Sequence, residues 1–235
     1  MTEENVLDEN NPKLITDMNK FLKVSNFLFP YQKGLDKSKL VIYDVCVYSM
    51  TQPLEAKIIA QTVRDIFNTI QNMDCYILNQ NKPRINPNDL TITDTTANIG
   101  GNTLGFSFAF KKVNSVEFNS ILFEGLENNC KLYKCNNINF YLNDCLEIVP
   151  KLKQDVIFFD PPWGGPSYKN HPSLDLFLNN KNIFDIIKEW KEQKLARIYV
   201  LKTPFNFNLD PFINEKSFEN LQIQKLKKFN VIYIY

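Results

Sequence analysis

Residues 155–168 read DVIFFDPPWGGPSY. The apolar run that opens this stretch has no polar alternation, the pattern of a strand buried on both faces, and such strands belong to parallel sheets covered by helices. The run stops at Asp160 and two prolines follow at once. Proline lacks an amide donor and fixes the chain in an extended path, so the carbonyls of Pro161 and Pro162 point outward instead of into helix bonds. A rigid polar segment at the carboxyl end of a buried strand lies where open α/β sheets bind their ligands.

The same rhythm repeats on both sides. Upstream, LTIT (90–93) reads as a buried strand, followed by an Asn/Gly loop and a helix from near Asn102. VNSVEF (113–118) is a second strand, Ser120 to Leu132 a second helix and INFYL (138–142) a third strand. Downstream, a helix around Ile183 to Gln193 leads to a fifth strand, RIYVLK (197–202). FENLQIQKL (218–226) and FNVIYIY (229–235), joined at Lys227 and Lys228, suggest a closing antiparallel pair. This alternation over about 145 residues defines an α/β unit. Ahead of it, Thr51-Gln52-Pro53-Leu54-Glu55 is a helix start, and Leu54, Ile58, Val63, Ile66, Phe67 and Ile70 keep a helical period as far as the loop NKPRINPND (81–89). Residues 51–235 are thus assigned to one domain. Residues 13–50 form an aromatic-rich extension with Phe21, Phe27, Phe29 and Tyr31, expected as a small helical lobe and a short extended piece, VIYDVCVYS. The polar, acidic residues 1–12 are expected to be a disordered tail.

Composition narrows the function. Among 235 residues, 27 Lys plus Arg against 26 Asp plus Glu leave a net charge of +1, without the basic excess of proteins that grip long duplexes. No apolar run approaches the roughly 20 residues of a membrane span. The start of the chain resembles neither a secretory signal nor a transit peptide. Five cysteines without CxxC spacing read as reduced thiols of a cytoplasmic or nuclear compartment, with a viral source left open. With one histidine, His171, a zinc cluster or a Ser-His-Asp triad has little support, and no metal is expected.

Four segments carry candidate chemistry. The loop DTTANIGGN runs from Asp94 through Thr96 to Asn102. Its Gly100 and Gly101 allow close backbone approach before a helix N-terminus. It lacks the GK[ST] of a phosphate loop and the full GxGxxG. Glu117, about twenty residues on, ends the second strand, where a carboxylate accepts the two hydroxyls of a ribose; an exposed strand-end acid is the plainer alternative. Asp144 after the third strand meets a nucleoside base edge or simply caps the helix from Cys145. Asp160 with the Pro161 and Pro162 carbonyls is suited to accept hydrogens from an exocyclic amine. Trp163 offers a face worth about 1–3 kcal/mol for stacking a base. The alternative is a Pro-rich turn around a buried Trp. His171 reads as a surface-loop residue, Trp190 as packing, and Cys130 and Cys135 as core and helix-end thiols.

At these residues the chain resembles a known family. A [DNS]PP[WYF] string after the fourth strand resembles the signature of S-adenosylmethionine-dependent amino-methyltransferases. The longer DPPWGGPSY is similar to the SPPWGGPDY of the cap guanine-N2 methyltransferases, the trimethylguanosine synthase family. The family's D-x-F-x-G-x-G-G-N-T resembles Asp94 to Thr103, its V-x-x-[ID]-[DE] resembles Val113 to Glu117, and its FSVTPE-like helix start resembles Tyr48 to Pro53. The similarity covers the chain from near residue 48 to near residue 210.

The resemblance implies the class I methyltransferase fold, a Rossmann-like seven-stranded sheet with an antiparallel last strand, here with a small N-terminal extension closing over the substrate. It implies S-adenosylmethionine held by Asp94, Thr96, Gly100 and Gly101, by Glu117 at the ribose and by Asp144 near the adenine. It implies methyl transfer to the exocyclic N2 of a 7-methylguanosine RNA cap, oriented by Asp160, Pro161 and Pro162. The base would stack on Trp163, and Tyr168 would touch the cap phosphates. A cationic base over an indole gains cation–π attraction. Three positions depart from the family: Asp160 replaces the commoner Ser, Asn98 takes the first glycine position of the cofactor loop, and Phe205 stands where LPRN has its phosphate-binding Arg, with Lys202 expected to supply charge from nearby. Two other functions suit the same motifs. One is amino-methylation of DNA or other RNA bases; the other is a catalytically inactive methyltransferase-fold subunit that binds caps or a protein. Cofactor binding separates enzyme from scaffold, and dependence on N7 methylation separates caps from other bases.

Overall fold

The computed structural model describes residues 11–78 and 84–235, without the side chains of residues 74–78 and 166. The tail expected over 1–12 therefore lies outside the described residues as far as residue 10; Asn11 is exposed and Pro12 buried. The extension begins with α1 (Met18–Leu28), where the Asp17 side chain caps the Lys20 amide and Phe21, Ser25 and Leu28 are buried. The piece expected to be extended, residues 41–49, is a single antiparallel bridge from Tyr43 to Leu14 followed by a helical turn, α2 (Cys46–Ser49). Next comes α3 (Pro53–Leu78), at whose start the Glu55 carboxylate accepts the Gln52 amide at 3.3 Å.

The α/β unit then runs β1 (Thr91–Asp94), α4 (Gly101–Ser107), β2 (Lys112–Glu117), α5 (Ser120–Leu132), β3 (Ile138–Leu142), α6 (Cys145–Ile148) and β4 (Val156–Phe159). A small hairpin, β5 (Phe177–Leu178) and β6 (Lys181–Asn182), precedes α7 (Ile183–Glu192). Its Asn179 and Asn180 both have positive φ, as tight hairpin turns demand. The chain continues with β7 (Ile198–Thr203), α8 (Asp210–Asn214), β8 (Leu221–Lys225) and β9 (Asn230–Ile234).

Seven strands form one sheet in the order β3-β2-β1-β4-β7-β9-β8. The first five in that order are parallel, and β9 runs antiparallel between β7 and β8, leaving β8 at the edge. Strand order reverses at β1 and β4, so a crevice opens at the carboxyl ends of these two neighbours. Alternation along β4 sends Val156 and Phe158 into a core with α3 and α4, and Ile157 and Phe159 into a core with α7. Both faces of the sheet are covered, which is why the strands read as unbroken apolar runs. A third core joins the extension to α5: Phe21, Leu28, Ile42 and Tyr43 pack with Leu122, Leu126 and Cys130. Trp190 is core, His171 is exposed, and Cys46, Cys130, Cys135 and Cys145 are free thiols. The side chain of Cys75 lies outside the described residues. Among the described residues no helix is long and apolar enough to cross a membrane, and no group of His, Cys, Asp and Glu is placed to hold a metal.

Candidate active site

The crevice gathers the ends of β1, β2, β4 and β7. Asp94, at the end of β1, is fully buried; its Oδ2 accepts the Thr103 hydroxyl at 2.7 Å, and that hydroxyl also meets Ser115 Oγ at 2.8 Å. Burial pushes the Asp94 carboxyl up to about 7, with the nearby charges of Asp160 and Glu117 adding to the rise and the Thr103 bond opposing it. Asp94 Oδ1 and Asn102 Oδ1 are both buried without a hydrogen-bond partner.

The loop after β1 is fastened at three points. The Thr96 hydroxyl donates to the Asp160 carbonyl at 2.9 Å and accepts the Asp160 amide at 3.1 Å, so it locks the β1 loop to the segment after β4. Asn98 has φ 52°, the left-handed turn that a glycine would adopt freely and that Asn adopts better than most. Its side chain accepts from the Ile99 amide at 2.7 Å and from Cys46 Sγ at 3.0 Å, and donates to Ser49 Oγ at 3.0 Å, tying the loop to α2. Gly100 has φ 104° and starts α4; a Cβ there would meet Cys130 Sγ and Leu126 Cδ1 at 3.3 Å. Gly101 follows as the first residue of α4 and packs against Met50 and Thr51.

Glu117 is not the exposed acid of the plainer reading: it is 9% accessible. Its Oε2 accepts the Asn98 amide at 2.7 Å and its Oε1 the Asn119 amide at 2.9 Å, while burial raises its carboxyl above the ordinary range. Asp144 adopts the helix-cap arrangement, accepting the Leu146 amide at 2.8 Å. Its second oxygen receives Asn179 Nδ2 at 2.8 Å, which joins the β3 loop to the β5–β6 turn.

Beyond β4, Asp160 Oδ2 lies 2.7 Å from Lys202 Nζ and 3.4 Å from Asn102 Nδ2. Burial raises the Asp160 carboxyl, and the Lys202 charge is the largest opposing influence. Lys202 was expected to reach toward substrate phosphates; its ammonium is instead buried against Asp160. Pro161 is buried and Pro162 exposed. Trp163 is partly buried, with Nε1 buried and unpartnered, and the Tyr168 ring stands edge-on to it at 5.2 Å. Gly164 and Gly165 have open space where side chains would be. Asn206 Nδ2 donates to the carbonyls of Tyr168 and His171 at 2.9 and 2.7 Å, anchoring the Trp163–Tyr168 loop to the segment after β7. Phe205 is half exposed, with Lys225 Nζ 5.2 Å above its ring. Reading the residues singly missed Thr103 and Asn102 as parts of the site, although both lie in the stretch similar to G-G-N-T. It missed the Asp160–Lys202 pair altogether.

These residues fit S-adenosylmethionine. Two buried oxygens without donors, one at the end of β1 and one in the first turn of α4, either side of a glycine loop, suit a ligand that brings N–H groups and positive charge. A doubly covered sheet in this order, with buried acids ending its first two strands and Asp-Pro-Pro-Trp after the fourth, defines a class I methyltransferase dependent on that cofactor. Comparison with known proteins gives the family: a model described as RNA cap guanine-N2 methyltransferase matches residues 90–233, and the chain belongs to it. It is 31% identical over 217 residues to an uncharacterised protein of Acanthamoeba polyphaga mimivirus, covering 88% of this chain and 82% of the relative. It is 29% identical over 116 residues to trimethylguanosine synthase of Schizosaccharomyces pombe, covering 46% of this chain and 47% of that enzyme. Among solved structures, a Porphyromonas gingivalis protein described as a methyltransferase aligns at TM-score 0.62 and 14% identity, over 92% of this chain and 48% of its own. A T. thermophilus 16S rRNA N2 methyltransferase in complex with AdoMet and guanosine aligns at TM-score 0.50 and 16% identity, over 62% and 37%. Both show the fold.

Proposed function

We propose that the protein methylates the exocyclic N2 of a 7-methylguanosine RNA cap, with Asp160 and the Pro161 and Pro162 carbonyls receiving the amine and Trp163 stacking the base. The observation that carries this reading is the Asp160–Trp163 segment, held rigidly at the carboxyl end of β4 and bonded through Thr96 to the cofactor loop. Bound S-adenosylmethionine supplies an electrophilic methyl group on a sulfonium. Asp94, Gly100 and Gly101 would hold it, with Glu117 at the ribose and Asp144 toward the adenine. Thr96 contributes indirectly, by fixing one loop against the other. Alignment of two reactants can by itself supply several kcal/mol of rate acceleration. Asp160 and the two carbonyls orient the amine and stabilise the positive charge that grows on it. The methylated amine is acidic enough to give its proton to water.

Similarity to trimethylguanosine synthase supports the cap as substrate. So does an aromatic face with open space beside it, suited to a cationic base. A capped RNA substrate agrees with a nuclear or cytoplasmic site of action.

The test is methyl transfer from labelled S-adenosylmethionine to 7-methyl-GTP, with GTP and an unmethylated oligodeoxynucleotide as parallel acceptors. Transfer to 7-methyl-GTP alone, reduced about 5- to 150-fold in kcat/KM by Trp163→Ala as expected for a stacking loss of about 1–3 kcal/mol, supports the reading. Transfer to the oligonucleotide moves the substrate to other bases. Absence of both transfer and cofactor binding makes the chain a binding subunit.

A further inference from the structure

Lys202 sits where a phosphate ligand has no use for it. Pairing of Phe159 with Leu201 brings the next residue of each strand, Asp160 and Lys202, side by side. Their side chains are 11% and 5% accessible, and the contact between them is 2.7 Å. The ammonium also lies 5.3 Å from the Trp163 ring centre, 4.9 Å from that of Phe229 and 3.4 Å from the Ser49 carbonyl. An anion, two aromatic faces and a carbonyl each stabilise a cation, so the pocket is built for a charged lysine. The charges bearing on Asp160 are Lys202 from β7 and Asp94 from β1, with Glu117 of β2 acting on Asp94 in turn; α4 contributes the neutral Asn102.

We propose that Lys202 is a positioning residue that acts through Asp160, fixing and keeping ionised the carboxylate that receives the amine, while the carboxylate offsets the ammonium's own charge beside the base-stacking Trp163. This rests on the function proposed above. Lys202 and Asn102 both donate to Oδ2, and the Thr51 side chain is a further polar neighbour of the carboxylate. Each partner alone would harm the reaction. An unpaired Asp160, buried and near Asp94, takes up a proton and stops accepting. An unpaired Lys202 ammonium, close to the Trp163 ring, repels a cationic 7-methylguanine. The pair does neither.

The experiment is a cycle of Lys202→Met, Asp160→Asn and the double variant, with Lys202→Arg as the conservative control. Methyl transfer is followed against pH, and cofactor binding and melting temperature confirm a folded protein. Lys202→Met is expected to move the acid limb of the kcat profile upward by about 1–3 units, the effect of removing an opposite charge at contact distance. Lys202→Arg should keep the limb where it is, even if kcat falls. Asp160→Asn should weaken binding of 7-methyl-GTP, read as a dissociation constant, more than it weakens binding of GTP. The double variant should exceed Lys202→Met in kcat and lose the acid limb. An unshifted limb in Lys202→Met, or a double variant no better than it, overturns the pairing role. Should Lys202→Met fail to fold, the ratio of these dissociation constants in Asp160→Asn and the limb of Lys202→Arg decide. A wild type active on another acceptor refutes the cap reading but leaves the cycle to be run on that acceptor. A wild type inert on all acceptors overturns both.

Discussion

Asp94 is a carboxyl whose protonation is coupled to folding. Burial holds it near 7, against an ordinary value near 4, so the folded chain keeps a proton that the unfolded chain releases. Its contribution to stability is complete below about pH 4 and is lost as pH rises through 7. Asp94→Asn, neutral and nearly isosteric, should match the wild type at pH 3 and exceed it at pH 8, by ~4 kcal/mol at most. Urea unfolding at the two pH values measures the gap, and a gap that does not widen with pH refutes the assignment. At this scale the sequence was legible where function demands a string of adjacent residues: Asp160 to Trp163 announce themselves. It was illegible where two residues meet only through register. Asp160 and Lys202 stand on neighbouring parallel strands with α7 between them in the chain, and nothing local signals their contact. Asp144 shows the opposite difficulty, because one spacing serves a helix cap and a ligand contact equally well.

Elements pack here with little tolerance. A Cβ on Gly105 of α4 would come 2.6 Å from the Ala56 Cβ of α3, so the two helices touch through a missing side chain. Gly105→Ala is therefore expected to cost about 1–3 kcal/mol, the range for overpacking. Ala56→Gly in the same chain should recover the loss almost in full, since the helix propensity it gives up, about 1 kcal/mol, is what Gly105→Ala gained. Thermal melts of the single and double variants check this, and additive losses would rule out the contact. The parallel strands were readable because burial on both faces leaves unbroken apolar runs. The β5–β6 hairpin was not, since each strand has two residues and its Asn179-Asn180 turn resembles any polar loop. Residues 41–49 look extended because Val, Ile and Tyr favour strands, yet their pairing is the one bridge from Tyr43 to Leu14 and not a strand of the sheet. Their apolar side chains are taken up by the core against α5, and one helical turn brings Cys46 and Ser49 to Asn98.

Taken whole, the molecule carries almost no net charge, +1 in 235 residues. Long-range attraction for an RNA body is therefore weak, and under the proposed function recognition concentrates on the cap and its adjoining phosphates. Affinity for a capped oligonucleotide should fall with salt at a log–log slope of only about −1 to −2, one or two phosphates' worth of released counterions. Titrations at several salt concentrations measure it, and a slope beyond about −4 would reveal an extended RNA path. The sheet order has a consequence for how such a molecule is made. β7 is buried along its whole length, and one of its two neighbours, β9, is supplied by a later part of the chain. Until β9 docks, β7 offers an apolar, hydrogen-bond-hungry edge to whatever strand comes near. Successful folding thus depends on how quickly β9 docks once the chain has left the ribosome, and that interval is when a new chain most needs a chaperone.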